Sequence, residues 1–404
     1  MRRRVAGLVV AAQLAGLALP AAAAEKRVEL NKARAEVPEE RLLDVAVQVF
    51  DAGIPADKDE EQLEKAGIFP SVRNAEARFV PLQIRKTLQG SGHWGAVRVV
   101  GGPTPGADLS VSGRILAAGG KHLEIEVRAT DATGKAWLSR RYEGEADIRA
   151  YRKNGAGLEP FQSLYNRVAN DLAAVLAKQG PKDVARIREV ARLRFAHELA
   201  PRAFEGYLKT EGGRTSLRRL PAAGDPMVAR VDALREREGM LIDTLDEHYA
   251  TFAERLQGSY DEWRKSSYDE QDQLDRARRD AKLKGILGAA AIIGAVLMGG
   301  SCDSRYDSCG LESTAGQVAV LAGTLAIQAA LRAHAESKIH AAALREMAVS
   351  LDAEVQPLLV EVEGRTRTLE GSAETQFAAW RTLLSEIFTA DTGAAPSDLE
   401  PARP

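Results

Sequence analysis

The chain has 404 residues, of which 45% are hydrophobic, 28% are charged and 5% are aromatic. Its 55 Lys and Arg residues nearly balance 57 Asp and Glu residues, so there is no basic field to attract nucleic acid. Two Cys residues are too few for a disulfide scaffold. A length near 400 residues predicts two or three domains, because a single core rarely grows beyond about 250 residues.

The amino terminus has the three parts of a secretory signal peptide. Three Arg residues follow the initial Met, an apolar run extends from Val5 to Pro20, and an Ala-x-Ala site ends at Ala24. We therefore expect a signal peptide over residues 1–24 and export to the periplasm, with a polar leader over residues 25–40. An uncleaved membrane anchor is the alternative interpretation.

Residues 41–180 have the patterns of a small α+β domain with a mixed sheet, in which helices pack on one face. Apolar residues alternate in the strands and recur at helical spacing between them. The residues from Asp131 to Gly134 are typical of a hairpin turn. The predicted elements are strand 42–50, helix 71–88 with Ser71 as N-cap and a break or kink at Pro81, strand 95–100, strands around 109–115, 123–127 and 136–142, and helix 158–178.

This region, about residues 40–178, resembles a group of small periplasmic domains. The resemblance lies in the strand-helix-strand opening, in segment 107–115 and in the hairpin at 131–134. It is to the amino terminus of TolB and to the curli-secretion, penicillin-binding-protein activator and ABC-transport auxiliary lipoproteins. It implies a non-catalytic adaptor or oligomer builder of the bacterial envelope. The chain departs from the lipoproteins because no Cys precedes Cys302.

Residues 181–284 form a predicted helical region, resembling a coiled coil, with one helix from Val228 to Lys284. A helix of that length needs a packing partner, and the sequence offers the returning helix near residues 326–355 or a second copy. Gly239 and Gly258 are candidate breaks. We expect the polar clusters Asp246-Glu247-His248 and Asp269-Glu270 to form a solvated face. The apolar stripe consists of Val231, Leu234, Leu241, Leu245, Phe252, Leu256, Tyr260 and Trp263.

Residues 285–331 read as a helical hairpin rich in Gly and Ala. Its two arms, 285–300 and 315–331, contain no charged residue, and the polar loop between them holds Cys302 and Cys309. Two Cys in one loop of an exported chain predict a disulfide. Small residues that repeat every fourth position let helices approach closely, as in membrane helix pairs, so the Gly and Ala residues of both arms are expected to form a helix-packing or membrane hairpin. These residues are Gly285, Gly288, Ala291, Gly294, Ala295, Gly299, Ala315, Ala319, Gly323 and Ala326.

Three interpretations of this hairpin stay open. It is a buried hairpin of a soluble protein, a hairpin that enters a membrane from the periplasmic side as an oligomer, or a periplasmic loop on a cytoplasmic body. Arms of this length are short for a bilayer span, which needs about 20 residues. Two ordinary inner-membrane spans would place the basic flanks outside and the acidic loop inside, against the positive-inside rule.

The carboxy-terminal part, residues 332–389, is predicted as a returning helix, a β-hairpin and a final helix. The hairpin strands are expected at 358–364 and 365–371, and the helix from Ser372 to Phe388 with Ser372 as N-cap. Residues 390–404 are rich in Ala, Pro, Asp and Gly, which predicts a disordered tail.

No motif for catalysis is present in the sequence. There is no Gly-x-Ser-x-Gly, His-Glu-x-x-His or dinucleotide fingerprint, and six His residues show no metal-ligand spacing. We expect no enzyme activity, no metal and no cofactor. The first hypothesis is a periplasmic envelope adaptor that self-associates or binds other envelope proteins, with possible membrane contact and no nucleic acid. The alternatives are a pore-forming protein and an enzyme without a recognisable motif.

Overall fold

The structure is a computed structural model that describes residues 27–152, 155, 157–283, 358–362, 365–369 and 372–392. Its strands are β1 (Val45–Gln48), β2 (Val97–Val100), β3 (Leu109–Ala118), β4 (His122–Asp131), β5 (Ala136–Glu145), β6 (Leu208–Glu211), β7 (Arg214–Leu217), β8 (Leu358–Val362) and β9 (Arg365–Leu369). Its helices are α1 (Glu60–Lys65), α2 (Pro70–Ser91), α3 (Gln162–Leu176), α4 (Pro181–Leu199), α5 (Pro226–Leu283) and α6 (Ala373–Thr392).

The central sheet has five strands in the order β2-β1-β3-β4-β5. Strand β1 pairs in parallel with β2 and with β3, whereas β3, β4 and β5 form an antiparallel meander. The long helix α2 connects β1 to β2, as parallel neighbours require a crossover. The expected mixed sheet with helices is therefore confirmed.

Helix α2 differs in detail from its prediction. It begins at Pro70, one residue before the expected cap Ser71, and its N-cap is Phe69, whose side chain makes no capping hydrogen bond. Proline suits the first helical position because its missing N–H would have no partner there. Pro81 is buried inside the helix, which continues to Ser91. Packing of the buried α2 face against the sheet outweighs the loss of one helical hydrogen bond.

The turn between β4 and β5 follows its prediction closely. Oδ1 of Asp131 accepts hydrogen bonds from the main-chain N–H groups of Thr133 at 2.9 Å and Lys135 at 3.1 Å. Gly134 has φ +79°, a conformation that favours glycine. The Trp137 indole donates a 2.8 Å hydrogen bond to Oδ2 of Asp131, so the turn is also tied to the buried side of β5.

Two hydrophobic clusters hold the described chain together. The first lies between the sheet and helices α2, α3 and α4, with Val47, Ile84 and Val168 among its members. The second joins α2, α4, α5 and α6. Phe79 of α2, Tyr249 of α5 and Trp380 of α6 are buried in it. The long helix thus belongs to the same packed body as the sheet.

Helix α5 is 58 residues long and continues through Gly239 and Gly258. Every residue of the predicted stripe, from Val231 to Trp263, is buried. Among the described residues it packs against β2, α2, α4 and α6, and the expected partner helix near residues 326–355 lies outside them. Contact with four elements supplies the tertiary packing that a long helix needs, so the two glycines are tolerated.

In the carboxy-terminal part, β8 and β9 pair antiparallel from Leu358↔Leu369 to Val362↔Arg365. The N–H of Thr375 donates a 3.3 Å hydrogen bond to Oγ of Ser372, which is the capping contact at the start of α6. Residues 284–357, which include the predicted hairpin and its returning helix, lie outside the described residues.

Candidate functional site

A charged cleft of about 870 Å³ opens where the sheet meets the long helix. Residues in and just before β1 and β2, and residues just before β3, form one wall, and residues of α5 between Asp232 and Asp243 form the other. A volume of this size falls in the range of ligand pockets. Its charged lining residues include Asp44, Asp108, Glu238, Arg98, Arg188 and Arg235.

Asp108 is placed in this cleft by its position just before β3. Its Oδ2 accepts a 3.0 Å hydrogen bond from the main-chain N–H of Asp44, which precedes β1. One carboxylate therefore ties together the starts of two parallel strands. Within the described chain its Oδ1 has no hydrogen-bond partner, and the Arg235 guanidinium is 3.9 Å from it.

Burial raises the pKa of Asp108 to about 6, because a residue that is only 3% exposed loses the water that stabilises its charge. The hydrogen bond from Asp44 and the positive charge of Arg235 oppose that increase. Asp108 therefore changes its charge close to neutral pH, whereas an exposed Asp is ionised there.

Glu238 faces the cleft from α5 and, like Asp108, is a buried carboxyl with a raised pKa. It is 3% exposed, and burial raises its pKa to about 7, with the charge of Arg235 acting in the opposite direction. In the described part of the chain Oε1 of Glu238 lacks a hydrogen-bond partner, and Nε of Arg381 in α6 is 3.8 Å away. The cleft thus contains two buried carboxyls whose pKa values are raised by burial.

Beside the cleft, α5 covers the edge strand β2. The N–H of Val99 donates a 2.8 Å hydrogen bond to Oδ1 of Asp246, and the carbonyl oxygen of Val97 accepts from Gln89 at 3.1 Å. Nη2 of Arg85 lies 2.6 Å from Oδ2 of Asp246. Side chains thus satisfy main-chain groups that would otherwise present an open edge.

A second polar cluster lies further along α5, beneath the β3–β4 turn. The Arg264 side chain is only 1% exposed and donates to both carboxylate oxygens of Glu159, at 2.9 and 3.1 Å. Its guanidinium carbon lies 4.4 Å from the centre of the Tyr260 ring, a cation–π geometry. The hydroxyl of Tyr260 donates a 2.9 Å hydrogen bond to Oε1 of Glu76.

Glu76 is the third carboxyl with a strongly shifted protonation equilibrium. Burial raises its pKa to about 7, and Arg73, the Tyr260 hydroxyl and Arg264 oppose that shift. This cluster is packed between α2, α5 and the residues before α3, whereas the cleft is open to solvent. Its geometry serves to fix α5 on the sheet domain.

The chemistry available in the cleft is proton holding and ion pairing. Neither a His nor a Cys is among the residues that line it within the described chain. In the described ranges, no group of three or more His, Cys, Asp or Glu side chains has the arrangement of a metal site. The same ranges contain no helix long and apolar enough to cross a membrane.

Of the residues that the sequence singled out, Asp246 binds strand β2 and Tyr260 belongs to the Arg264 cluster. Cys302, Cys309 and the small residues from Gly285 to Ala326 lie outside the described residues. The expectation of a solvated face was wrong for Asp246, which is 4% exposed because it binds the edge strand. Asp269 fits that expectation, since 47% of its side chain is exposed and it pairs with Lys265.

No local sequence pattern identifies the carboxyls of the cleft or the cluster around Arg264. Asp44, Asp108 and Glu238 are separated by 64 and by 130 positions, so no local motif connects them. The available signal was weak: Asp108 comes just before the predicted strand at 109–115, and Asp44 is a polar residue inside the predicted strand 42–50. Comparison of the chain with family models, with curated proteins and with solved structures found no match to any of them.

Proposed function

We propose that this chain is a non-enzymatic cell-envelope protein, exported to the periplasm, that acts as an adaptor or oligomerising component in envelope assembly or transport. Its partners are further copies of itself or other envelope proteins. The pattern resemblance of residues 40–178 to small periplasmic adaptor domains supports this proposal, and so does the signal-peptide pattern of residues 1–24.

The observation that carries the proposal is the fixed connection between the sheet domain and α5. Asp246 attaches the helix to strand β2, and Arg264 attaches it to Glu159 further along. Helix α5 is described as far as Leu283, and the Gly/Ala-rich segment 285–331 follows it in the sequence. A domain held rigidly on a helix that leads into such a segment suits an adaptor, since the helix sets the orientation of both ends.

In this proposal residues 285–331 provide self-association or contact with a membrane, through small residues such as Ala291 and Ala295. A disulfide between Cys302 and Cys309 would stabilise the loop in an oxidising compartment. The cleft carboxyls serve in binding rather than in catalysis. In the alternative hypothesis, a pore-forming protein, residues 285–331 would insert into the membrane.

Cell fractionation followed by carbonate extraction tests the proposal. We expect the full chain in the envelope or periplasmic fraction, and we expect any carbonate-resistant retention to disappear when residues 285–331 are deleted. Ala295→Leu is a milder variant that blocks close helix approach, and it should lower the oligomer mass measured by light scattering. A chain that stays in the cytoplasm would contradict export, and retention that is independent of 285–331 would contradict membrane contact through that segment.

A further inference from the structure

An extended segment at the start of the described chain, Arg27 to Ala33, lies across helices α2 and α3. The side chains of Val28, Leu30 and Ala33 are half-buried, whereas Arg27, Glu29 and Asn31 are exposed. From Arg27 to Asn31 exposed and half-buried residues alternate, as in a strand with one face on the protein. The main-chain groups of the segment, however, bond to side chains of α3 and to the end of α2 rather than to a neighbouring strand.

Side chains of α3 form hydrogen bonds with main-chain groups of the segment. Asn170 accepts a 2.8 Å hydrogen bond from the N–H of Asn31 and donates a 2.9 Å one to the carbonyl oxygen of Glu29. Both are main-chain groups on one edge of the segment. The Asn170 amide thus donates one hydrogen bond and accepts one, and an extended backbone of any sequence offers the same two main-chain groups.

Two further side chains extend this pattern towards the amino end of α3. Asn166 donates a 2.7 Å hydrogen bond to the carbonyl oxygen of Val28, and Oγ of Ser163 accepts from the N–H of Val28 at 3.3 Å. Ser163, Asn166 and Asn170 stand at spacings of three and four, which places them on one face of the helix. A 2.9 Å hydrogen bond from Gln162 to Oδ1 of Asn166 orients that amide before any segment binds.

The end of α2 completes the groove. The N–H of Ala33 donates a 2.8 Å hydrogen bond to the carbonyl oxygen of Ser91. A Cβ at Gly90 would lie 3.9 Å from Leu30, and one at Gly92 would lie 3.6 Å from Ala33. The segment therefore passes close to two glycines, and its aliphatic side chains face the protein there.

We propose that Ser91, Ser163, Asn166 and Asn170 form a peptide-binding groove, filled in cis by Arg27–Ala33, in which an extended peptide with alternating aliphatic residues from a partner can replace that segment. The five hydrogen bonds above involve only main-chain groups of the segment, so a partner peptide can make all of them. The aliphatic alternation supplies selectivity. This inference is independent of the envelope function, since it depends only on contacts within residues 27–170.

Binding of a labelled, end-capped peptide with the sequence of residues 27–33, measured by fluorescence anisotropy, tests the groove. The full chain carrying Val28→Asp and Leu30→Asp has an unanchored cis segment and should bind the peptide. The unchanged chain should bind at least tenfold more weakly, because a tethered segment competes at an effective concentration of about 1 mM. A peptide of the same composition with Leu and Asn exchanged breaks the alternation and should bind weakly to both.

Asn170→Ala, added to the chain with the unanchored segment, should weaken peptide binding by about tenfold, the effect expected for two lost hydrogen bonds. Lys178→Ala, an exposed change just beyond the end of α3, should leave binding unchanged. Absence of binding in a chain whose circular dichroism and melting are intact would overturn the proposal. Binding that is insensitive to Asn170→Ala would overturn it as well.

If the doubly substituted chain does not fold, hydrogen exchange of the unchanged full chain replaces it. Excess peptide should accelerate exchange at the N–H groups of Val28, Asn31 and Ala33, because the displaced segment loses its hydrogen bonds. Exchange at Val99, which donates to Asp246 away from the groove, should stay the same. Exchange of residues 27–33 that does not change at saturating peptide would refute replacement of the segment.

Discussion

The main-chain N–H of Val99 donates a 2.8 Å hydrogen bond to Oδ1 of Asp246, although 147 positions separate the two residues. A strand edge ordinarily satisfies such a group with another strand or with water. Here a carboxylate on the long helix replaces the missing strand, and Arg85 neutralises its charge. This contact explains how a 58-residue helix can be fixed along the edge of a small sheet.

Asp246→Ala tests this contact. It leaves the N–H of Val99 and the Arg85 guanidinium without their buried partner, so we expect the free energy of unfolding to fall by about 2–3 kcal/mol. Asp243→Ala is the matched control, one turn earlier on the same helix. That side chain is 56% exposed and pairs with Arg98, and its loss should cost less than about 1 kcal/mol. Urea denaturation measures both, and equal losses would refute the role of Asp246.

Arg264→Met tests the second attachment of α5. The substitution leaves the Glu159 carboxylate, whose side chain is 10% exposed, without its cation, and we expect a loss of about 3 kcal/mol. Lys265→Met removes the neighbouring ion pair with Asp269, in which the lysine is 56% exposed, and should change stability by less than about 0.5 kcal/mol. A similar melting temperature for the two variants would contradict the prediction.

Glu238→Gln should make stability less sensitive to pH. Burial raises the pKa of this carboxyl from 4.5 to about 7, so between those values the folded chain binds the proton more tightly than the unfolded chain. The contribution of Glu238 to stability therefore falls as pH rises from about 4.5 to about 7. At pH 8 the variant should be more stable than the parent by about 2–3 kcal/mol, and at pH 4 the difference should vanish.

The control for Glu238 is Glu236→Gln, which changes an exposed carboxyl on the same helix. Its effect on stability should be small, below about 0.5 kcal/mol, because the side chain is exposed. Denaturation curves at several pH values give both differences. A Glu238→Gln difference that grows towards acid pH would have the opposite sign and would refute the assignment.

Gly120→Ala tests the close approach of the β3–β4 turn to α5. A Cβ there would lie 1.7 Å from the carbonyl oxygen of Arg264 and 2.4 Å from the nitrogen of Tyr268, so main chain would have to move. We expect a loss of about 3 kcal/mol or more. At Gly119 the nearest atom to an added Cβ is the flexible end of Gln271, 3.1 Å away, so Gly119→Ala should cost much less. Thermal unfolding compares them.

Much of the fold was predictable because its signals are local. The alternation of apolar residues identified all five strands of the central sheet, and Asp131 with Gly134 identified the hairpin turn. The apolar stripe of α5 was also correct from Val231 to Trp263. The small helix α1 and the β6–β7 hairpin were not predicted, because α1, β6 and β7 each contain a single apolar residue and therefore have no apolar periodicity.

The candidate site was not predictable in the same way. Polar residues on an amphipathic helix give the same pattern whether they face water or a neighbouring element. Asp246 and Asp243 are three positions apart on α5, yet one is buried against β2 and the other is mostly exposed. Asp246 is buried because the N–H of Val99, on the edge of β2, lies opposite it.

The sequence by itself determined the five strands of the central sheet, the apolar stripe of α5 and the chemistry of the β4–β5 turn, because these follow from side chains within a few positions of one another. Only the tertiary structure decided that Asp108 and Glu238 share a cleft, that Arg264 is buried with Glu159, and that Asn170 holds the segment near residue 30. Burial changes the energy of a charge or an amide according to its three-dimensional neighbours, and those neighbours come from distant parts of the chain.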